Sequence, residues 1–481
     1  MSKVEKNIFH INCKYISIKV FEYLDKKRFL QIVNYNKKMQ ELLNVEINDY
    51  KNSYKALSSI EIELKPSGIY GEFINLIRKN EEEKDREKYY HIYFNDSKKE
   101  IKNKYYLNEN DKITKIKILV EYKVTSLAHI FARCPAIKSM SFKKFLRSNI
   151  VDMSDMFYEC TYLEEINLTN FITDNVTDMS YMFHGCSSLK QLNLTSFNTS
   201  NVKEMNGMFH GCSLLEEINA SSFDTSNVSD MSKLFSKCSS LKKIDLSNFI
   251  TNNVDNMSKM FAKCSSLTEI DVSNFNTENV DNMSYMFNDC SKLTKLELSN
   301  WNTESLNDMS YIFSDCISLE EINLSNFNTE NVNSMDGMFA GCIALKHINL
   351  ENFNTHNVNK INSMFSGCIS LQEINLTNFN TNDVYNMSEL FSGCTSLKKI
   401  DLHNFNTENV NDMREMFFGC TSLEEVNIYN FNFADINNKQ NMFNGCKSLK
   451  IINISLNQIP HIDNELIKDC SKELKFVHEP Y

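Results

Sequence analysis

The sequence predicts an α/β repeat fold, a solenoid of about 13 turns with a parallel sheet on one face and a small mixed α+β region at its N-terminal end. Three observations predict this class: a cysteine that returns at a constant interval, an apolar pattern with the same period, and charges that alternate from one repeat to the next. A strict period of this kind is typical of solenoids, because each repeat can bury its apolar edges only against its neighbours.

The cysteines set the period. Thirteen of the 15 cysteines recur with a constant 26-residue step: Cys134, Cys160, Cys186, Cys212, Cys238, Cys264, Cys290, Cys316, Cys342, Cys368, Cys394, Cys420 and Cys446. Disulfide frameworks and metal sites use clustered or irregular spacings. Stacked cysteines about 5 Å apart would fall within the range of disulfide distances. A cysteine directly before an apolar strand is nevertheless typical of a small buried residue, and we expect free thiols.

The elements of one turn are visible in residues 264–289. Ile270 and Val272 lie two residues apart and therefore face the same side of a short strand. Met283 and Phe287 lie four residues apart, a spacing that is typical of one face of a short helix. We expect the methionines of this pattern to fill the core between stacked turns, because a thioether adapts to irregular gaps, rather than to bind a metal.

Charged residues predict how the turns are aligned. The position four residues after each cysteine reads Glu164, Lys190, Glu216, Lys242, Thr268, Thr294, Glu320, Lys346, Gln372, Lys398, Glu424 and Lys450. Opposite charges attract across neighbouring strands, whereas like charges repel. The alternation therefore predicts parallel strands stacked in register.

Composition limits the partners. The apolar fraction of 42% predicts a folded chain rather than a disordered one. Residues 1–150 carry 30 Lys and Arg against 19 Asp and Glu, and the rest of the chain carries 21 against 43. An acidic body of this size is poorly suited to nucleic acid, so no nucleic-acid partner is expected.

The sequence also predicts a compartment. No run approaches the roughly 20 apolar residues of a membrane span, and the N-terminal segment lacks the unbroken apolar core of a secretory signal. The repeat generates many N-x-[ST] sequons, and glycans on the strand would crowd the sheet. With reduced thiols expected as well, we predict a cytoplasmic protein and a monomer, with the cell surface as the alternative location.

The consensus M-F-x-x-C-x-x-L-x-x-I-x-L-S-N-F-N-T-x-N-V-x-x-M, read for example from Met260 to Met283, resembles the BspA-like leucine-rich-repeat family. The resemblance covers about 125–455. It implies a right-handed leucine-rich-repeat solenoid with a parallel sheet on one face. It also implies surface adhesion and protein binding rather than catalysis.

We expect three regions: 1–110 as an N-terminal helical and mixed region, 111–455 as the solenoid, and 456–481 as a C-terminal cap. Open ends of a solenoid must be covered, so irregular terminal turns are expected. The segment 112–122 alternates like a strand that begins the repeat sheet or covers its edge.

A further segment, 16–43, weakly resembles an F-box, a helical module that docks an adaptor onto a ubiquitin ligase. The residues that carry the resemblance are Val20, Phe21, Tyr23, Leu24, Phe29, Leu30 and Asn36-Lys37-Lys38. The segment lacks the usual Leu-Pro start and a later Trp. Ubiquitin-ligase components are therefore one candidate partner, and a helical cap packed on the solenoid is the other interpretation.

Catalytic motifs are missing from the sequence. It contains no HExxH, GxxxxGK[ST], GxGxxG, GxSxG or CxxC. We therefore expect no enzyme, no cofactor, no catalytic residue and no metal. His184 and His210 share a column and could approach one another, but two histidines without a third ligand are more typical of a surface than of a metal site.

The candidate protein-binding face is the outward side of the strands. Its residues are Asn167, Asn193, Asn219, Asp245, Asp271, Glu297, Asn323, His347, Asn349, Asn375, Asp401, His403, Asn427 and Tyr429. Such a polar, mildly acidic surface suits hydrogen bonds to a protein ligand. The alternative is that the Asn and Ser/Thr columns mainly satisfy one another along the stack.

Two functions follow. The first is a non-enzymatic protein-binding solenoid that acts as an intracellular scaffold or adaptor. The second is an exported surface adhesin of the BspA-like kind.

Overall fold

The computed structural model describes residues 58–76, 86–434 and 436–478. Its dominant feature is a stack of 26-residue turns joined by single parallel β-bridges between equivalent residues. The bridges run without interruption from Ser126 to Asn438 and so connect thirteen successive turns. The solenoid that the cysteine period predicts is confirmed. The F-box-like segment at 16–43 lies outside the described residues.

The N-terminal region, where described, is an antiparallel sheet with a short 3₁₀ helix, Arg86–Tyr89. Its elements are β1 (Ile60–Pro66), β2 (Gly71–Glu72), β3 (Tyr90–Phe94), β4 (Tyr106–Leu107), β5 (Ile116–Val120) and β6 (Ile137–Lys144). The main sheet has the order β3-β5-β1-β6, and β2 pairs with β4. Along β1, β3 and β5, buried and half-exposed side chains alternate, as expected for strands with one face on a core.

Strand β6 joins this sheet to the solenoid. It pairs antiparallel with β1 on one side and parallel with β7 (Glu165–Asn167) on the other. The predicted strand within 112–122 is β5, but β1 lies between it and β6, so it neither begins nor covers the repeat sheet. The reason is register: Ser139 of β6 stands one period before Glu165. The N-terminal sheet therefore extends past the boundary expected at 110.

The parallel sheet predicted on one face is confirmed as a column of three-residue strands. After β7 these are β8 (Glu217–Asn219), β9 (Lys243–Asp245), β10 (Lys399–Asp401), β11 (Glu425–Asn427), β12 (Ile451–Asn453) and β13 (Lys475–Val477). The parallel pairs among the regular turns are aligned at the repeat period, for example Ile218 with Ile244. This is the in-register stacking that the alternating charges predict.

The helix expected in each repeat is replaced by a ladder of tight turns. Met153 and Asp155 donate their N–H groups to the carbonyls of Asp178 and Ser180 in the next repeat, at 3.0 and 2.9 Å. Met156 instead donates within its own turn, to Met153. Because alternate N–H groups are committed to the neighbouring repeat, the i→i−4 bonds of an α-helix cannot form. We call this side the turn face; it comprises the residues between bridge and cysteine, for example 231–237.

Every complete turn of the turn face contains two left-handed residues, four positions apart, such as Lys233 (φ 58°) and Lys237 (φ 61°). The second of them is the position before the cysteine, where glycine recurs with φ between 70° and 81°: Gly185, Gly211, Gly341, Gly367, Gly393, Gly419 and Gly445. Glycine is free of strain in this conformation. It reverses a tight turn rather than ending a helix.

The core consists of columns of identical side chains. Phe131, Phe157 and their equivalents as far as Phe443 stack with ring centroids 5.2–6.1 Å apart. The methionines of the pattern, such as Met283 and Met286, are fully buried beside them. Stacked rings and thioethers give neighbouring turns a shared apolar core, as a solenoid requires.

Buried threonines connect the turns at a corner. The Thr303 hydroxyl donates to the Asn328 carbonyl and accepts from the Asn328 N–H, both at 2.8 Å. Threonine at this position is at most 2% exposed in ten repeats, from Thr173 to Thr407. One hydroxyl thus satisfies both backbone groups of the next turn, which explains the N-F-N-T element of the consensus.

The C-terminal end is a shortened turn rather than a separate cap. β13 continues the sheet with Lys475 opposite Ile451, an offset slightly shorter than the repeat period. A 3₁₀ helix, Leu456–His461, replaces the N-F-N-T corner. There the Gln458 amide accepts the Phe433 N–H at 2.8 Å, so a side chain still caps the preceding turn.

Candidate protein-binding face

The strand face comprises the outward residues four, five, seven and nine positions after each cysteine. Most of the predicted site residues lie on it and are exposed: Asn167, Asn193, Asn219, Asp245, Asp271, Glu297, Asn323, His347, Asn349, Asn375, Asp401 and His403. They form one continuous surface because equivalent residues of successive turns are stacked. The assignment of this surface as the binding face remains a prediction.

The Asn and Asp residues of this face also turn the chain. The Asn167 side-chain carbonyl accepts from the backbone N–H of Thr169 at 3.0 Å and from its hydroxyl at 2.8 Å. Asp271 binds Ser273 in the same way. The column thus favours Asn and Asp because they form an Asx turn after the strand. These hydrogen bonds join residues of the same turn. The alternative that the Asn and Ser/Thr columns satisfy one another along the stack is therefore wrong about the direction of the bonds.

Two of the predicted residues are less accessible than expected. Asn427 is only 6% exposed and Tyr429 is half-buried. The tyrosine stands where most turns carry Ser or Thr. The amide carbonyl of Asn427 is 3.2 Å from the Tyr429 N–H. The strand face is therefore most open before this turn.

Charged residues on the strand face pair along the stack. The pairs are Lys138–Glu164 (3.7 Å), Lys242–Glu216 (2.8 Å), Lys346–Glu320 (2.9 Å), Lys399–Glu425 (2.6 Å) and Lys450–Glu424 (3.9 Å). All of them join residues one period apart and thus lie between adjacent turns. Exposed pairs of this kind contribute little stability each, but they penalise a shift of register.

Two histidines of the face have acidic neighbours. The imidazole Nδ1 of His403 is 2.9 Å from an Asp401 carboxylate oxygen in its own turn. His347 lies 3.9 Å from Glu373, one turn along the stack. Both histidines are exposed and can present a ring edge to a ligand.

A shallow groove runs across the strand face over four turns, with a volume of about 780 Å³. Its lining includes Glu217, Lys243, Glu269, Lys295 and Asp271. Charges of both signs alternate along it, and its polar groups are spread over four turns rather than gathered at one point. Such a surface suits an extended ligand with groups of both signs.

The fourteen described cysteines form no reactive centre. All fourteen described cysteines are free, and the thirteen periodic ones are buried. Each thiol from Cys160 to Cys446 donates to a carbonyl of the preceding turn, as Cys264 does to Phe235 at 3.2 Å. Burial raises the pKa of the Cys264 thiol well above its usual value. A thiol that is protonated and hydrogen-bonded is a poor nucleophile and metal ligand.

His184 and His210 stack face to face instead of converging on an ion. Their ring centroids are 4.5 Å apart, and Tyr158 stacks on His184 at the same distance. Burial lowers the pKa of His210 to about 4, helped by the charges of His184, Lys237 and Lys233. Within the described ranges, no group of three or more His, Cys, Asp or Glu side chains is placed to hold a metal ion.

One feature of the molecule was not predicted from the sequence: a cluster of four lysines on the turn face, Lys233, Lys237, Lys259 and Lys263. The signal was available in the repeat, since the four lysines occupy equivalent columns of two adjacent turns. The structure adds that all four lysines have a left-handed backbone and that three of them are exposed.

Fold and surface together define the chain as a leucine-rich-repeat solenoid with 26-residue turns. It belongs to the family described as "Mycoplasma protein of unknown function, DUF285", whose model matches residues 125–221, 212–296, 264–373 and 343–458. The expected resemblance to BspA-like leucine-rich-repeat proteins is confirmed, whereas the F-box-like resemblance receives no support.

Two solved structures are similar to the chain. A leucine-rich repeat protein from Bacteroides ovatus ATCC 8483 is 23% identical with a TM-score of 0.40, covering 76% of this chain and 89% of that one. A leucine rich cell surface protein from Faecalibacterium prausnitzii A2-165 is 16% identical with a TM-score of 0.31, covering 71% and 82%. Among curated proteins, no match was found. No helix in the described residues has the length and apolarity to cross a membrane.

Proposed function

We propose that the chain is a non-enzymatic protein-binding solenoid that acts inside the cell as a scaffold or adaptor. The observation that carries this proposal is the strand face, a continuous exposed surface with a groove over four turns. A protein ligand can contact many turns at once, and an interface of typical size needs about 800 Å² on each partner. Small-molecule sites instead enclose their ligand with a few converging polar groups.

Amide groups support the same interpretation. In most turns the side-chain carbonyl of the middle residue is used for the Asx turn, as at Asn193 and Asn323. The amide N–H₂ groups of these residues remain available to donate to a ligand carbonyl. Such donors stand in two runs of three turns, Asn167 to Asn219 and Asn323 to Asn375, on either side of the acidic residues Asp245, Asp271 and Glu297. A run of this kind matches an extended peptide or the edge of a partner sheet.

The column of buried thiols from Cys160 to Cys446 supports the intracellular part of the proposal. Each buried S–H group is already a donor to a backbone carbonyl, for example Cys290 to Phe261 at 3.2 Å. Oxidation to a disulfide would remove two of these donors and pull two neighbouring turns together. Such a core suits a reducing compartment.

The protein-binding role is tested by substituting the groove. We expect Lys243→Ala, Glu269→Ala and Lys295→Ala together to abolish capture of the main partners from the native cell after chemical cross-linking. The matched control replaces three exposed residues outside the strand face, Glu278, Glu304 and Glu330, with alanine. Equal capture by both triple variants, or no partner for the native chain, would contradict the proposed binding face.

The adaptor role and the compartment need separate measurements. An adaptor that lacks residues 1–57 should lose one set of partners and keep the set that the groove binds, with every described strand still present. Intact mass after alkylation without reduction should show the unmodified 56.0 kDa chain with an adduct on each of the 15 cysteines. Glycan mass or missing adducts would instead support the exported adhesin.

A further inference from the structure

Four lysines occupy all the left-handed positions of two consecutive turns on the turn face. Lys233 and Lys237 have φ values of 58° and 61°, and Lys259 and Lys263 have values of 60° and 65°. Lys237, Lys259 and Lys263 are exposed, and Lys233 is half-buried. We call these residues the lysine quartet. The preceding turn carries glycine at both positions, Gly207 and Gly211.

The quartet is costly to the fold in two ways. A left-handed backbone is unfavourable for lysine and free of strain for glycine, which fills the Lys237 position in seven other turns. In addition, the stack places Lys233 beside Lys259 and Lys237 beside Lys263, so like charges are adjacent. The core rings beneath these turns, Phe235 and Phe261, are 5.6 Å apart. Residues that destabilise the fold through both backbone strain and charge repulsion are candidates for a functional role.

Within the described residues no carboxylate forms an ion pair with the quartet, although Asp289 follows Lys263 one turn along the same column. The Lys259 ammonium lies 4.9 Å from the centre of the Tyr285 ring. Tyr285 in turn stacks on Tyr311 at 4.7 Å. The positive field extends into the neighbouring turns, because Lys233 and Lys237 contribute to the lowered pKa of His210. Among the residues that the structure describes, the quartet is thus a basic patch without an ion pair, on a chain whose residues after 150 are acidic overall.

We propose that the lysine quartet binds a short acidic segment of a partner protein. The proposal rests on the proposed function, since it assumes a protein partner, but it places this contact on the turn face rather than on the strand face. Carboxylates two residues apart in an extended peptide lie about 6.8 Å from each other. The two turns are spaced like the Phe235 and Phe261 rings beneath them, 5.6 Å apart. Flexible lysine side chains on these turns can therefore reach two carboxylates of the peptide at once.

Neighbouring charges favour a peptide over a nucleic acid. On the C-terminal side the Lys237 and Lys263 column continues with Asp289 and Asp315. A nucleic acid carries its charge along its whole length and would meet these carboxylates, whereas a peptide needs negative charge only over the two basic turns. The Tyr285 and Tyr311 rings beside the patch offer an apolar surface to residues that follow the acidic ones.

The test uses the full chain and a fluorescein-labelled peptide of alternating glutamate and serine, eight residues long. We expect salt-sensitive binding in fluorescence anisotropy. Replacing the quartet with glutamine should weaken it at least about tenfold, because each lost contact contributes a few-fold. The matched control changes the charge equally with Lys98→Gln, Lys292→Gln, Lys447→Gln and Lys472→Gln, all exposed residues outside the strand face and the turn face, and should stay within about twofold.

Three outcomes would overturn the proposal: no peptide binding by the native chain, equal loss in both quadruple variants, or tighter binding of a single-stranded oligonucleotide of the same charge. Circular dichroism of the quartet variant should be unchanged, and an unfolded variant would be replaced by the pair Lys237→Gln and Lys263→Gln. Failure here is distinct from failure of the proposed function. If the groove variant loses partners while the quartet variant keeps them all, only this inference falls.

Discussion

The strand face and the lysine quartet of the turn face treat charge in opposite ways. On the strand face, acidic and basic residues alternate from turn to turn and pair across one repeat period, as Lys242 does with Glu216. On the turn face, Lys237 and Lys263 follow one another in a single column with no pairing carboxylate in the described chain. The alternating face stabilises the register of the stack. The like charges of the quartet oppose it, whereas Arg133 and Glu159 pair with opposite charge in the same column near the N-terminal end. A bound ligand would explain why the quartet is kept.

Both surfaces depend on the core columns beneath them. The largest loss of stability is therefore expected from a substitution that interrupts a core column. Phe287 is fully buried between Phe261 and Phe313. Phe287→Ala should lower the free energy of unfolding by about 3–5 kcal/mol, because it leaves a cavity in the ring column. Urea denaturation followed by circular dichroism measures it. Lys398→Ala, an exposed change, should have almost no effect; equal losses would mean that the column assignment is wrong.

A second prediction concerns a half-buried acid on the turn face, Asp336. Burial raises the pKa of Asp336 to about 6, well above its usual value. The folded state therefore binds the proton more tightly than the unfolded state. The free energy of unfolding should fall as pH rises from about 4 to about 6 and remain low above that range.

Asp336→Asn should remove this dependence. We expect it to raise the free energy of unfolding at pH 7.5 by about 1–2 kcal/mol, since partial exposure screens some of the penalty, and to change it little at pH 4. Urea titrations at the two pH values measure the difference. Glu330→Gln serves as an exposed control. A variant that is less stable at pH 7.5 than the native chain would show that hydrogen bonds to Asp336 outweigh its charge.

The contrast between the strand face and the lysine quartet predicts changes of opposite sign in the free energy of unfolding. Lys237→Gln with Lys263→Gln should stabilise the chain by about 0.5–1 kcal/mol at low salt, because repulsion is relieved. Lys242→Gln should destabilise it by up to about 0.5 kcal/mol, because its pairing with Glu216 is lost. Both changes should shrink in 1 M salt. Changes of the same sign, or no dependence on salt, would remove the basis of the comparison.

The smallest effect is a change in titration. Burial, His184, Lys237 and Lys233 together hold the pKa of His210 at about 4. Lys233→Gln with Lys237→Gln should raise the pKa of His210 toward its ordinary value but not restore it, because burial is the largest cause. Two-dimensional NMR of the imidazole nitrogens across pH 3–7 would follow it. Lys292→Gln should leave the titration unchanged, and a similar rise there would point to net charge rather than to the lysine quartet.

The lowered pKa of His210 also makes the stability of the chain depend on pH. This lowered pKa means that the folded chain keeps the ring neutral while the unfolded chain takes up a proton below pH 6.5. Above pH 6.5 His210 is neutral in both states and costs no stability. As pH falls from 6.5 toward 4, the free energy of unfolding decreases, because only the unfolded chain takes up the proton.

The sequence by itself determined the period, the core columns and the alignment of the turns. The Phe287 and Cys264 columns both recur once in every repeat, and a side chain that is apolar in every turn can only be core. The alternation of Lys242 and Glu216 indicated parallel, in-register stacking for the same reason: only adjacent, equivalent positions benefit from opposite charge. These features are local or periodic, and a sequence displays them directly.

Only the tertiary structure decided the turn face and the junction with the N-terminal sheet. The spacing of Met283 and Phe287 fits a helix and a tight turn equally well, and hydrogen bonds to the next repeat select the turn. The place of β5 beside β1, and not beside the repeats, depends on partners distant in the chain. The lysine quartet became visible for the same reason. Whether four lysines form one patch depends on where two turns place their left-handed residues, and that geometry is set by the stack.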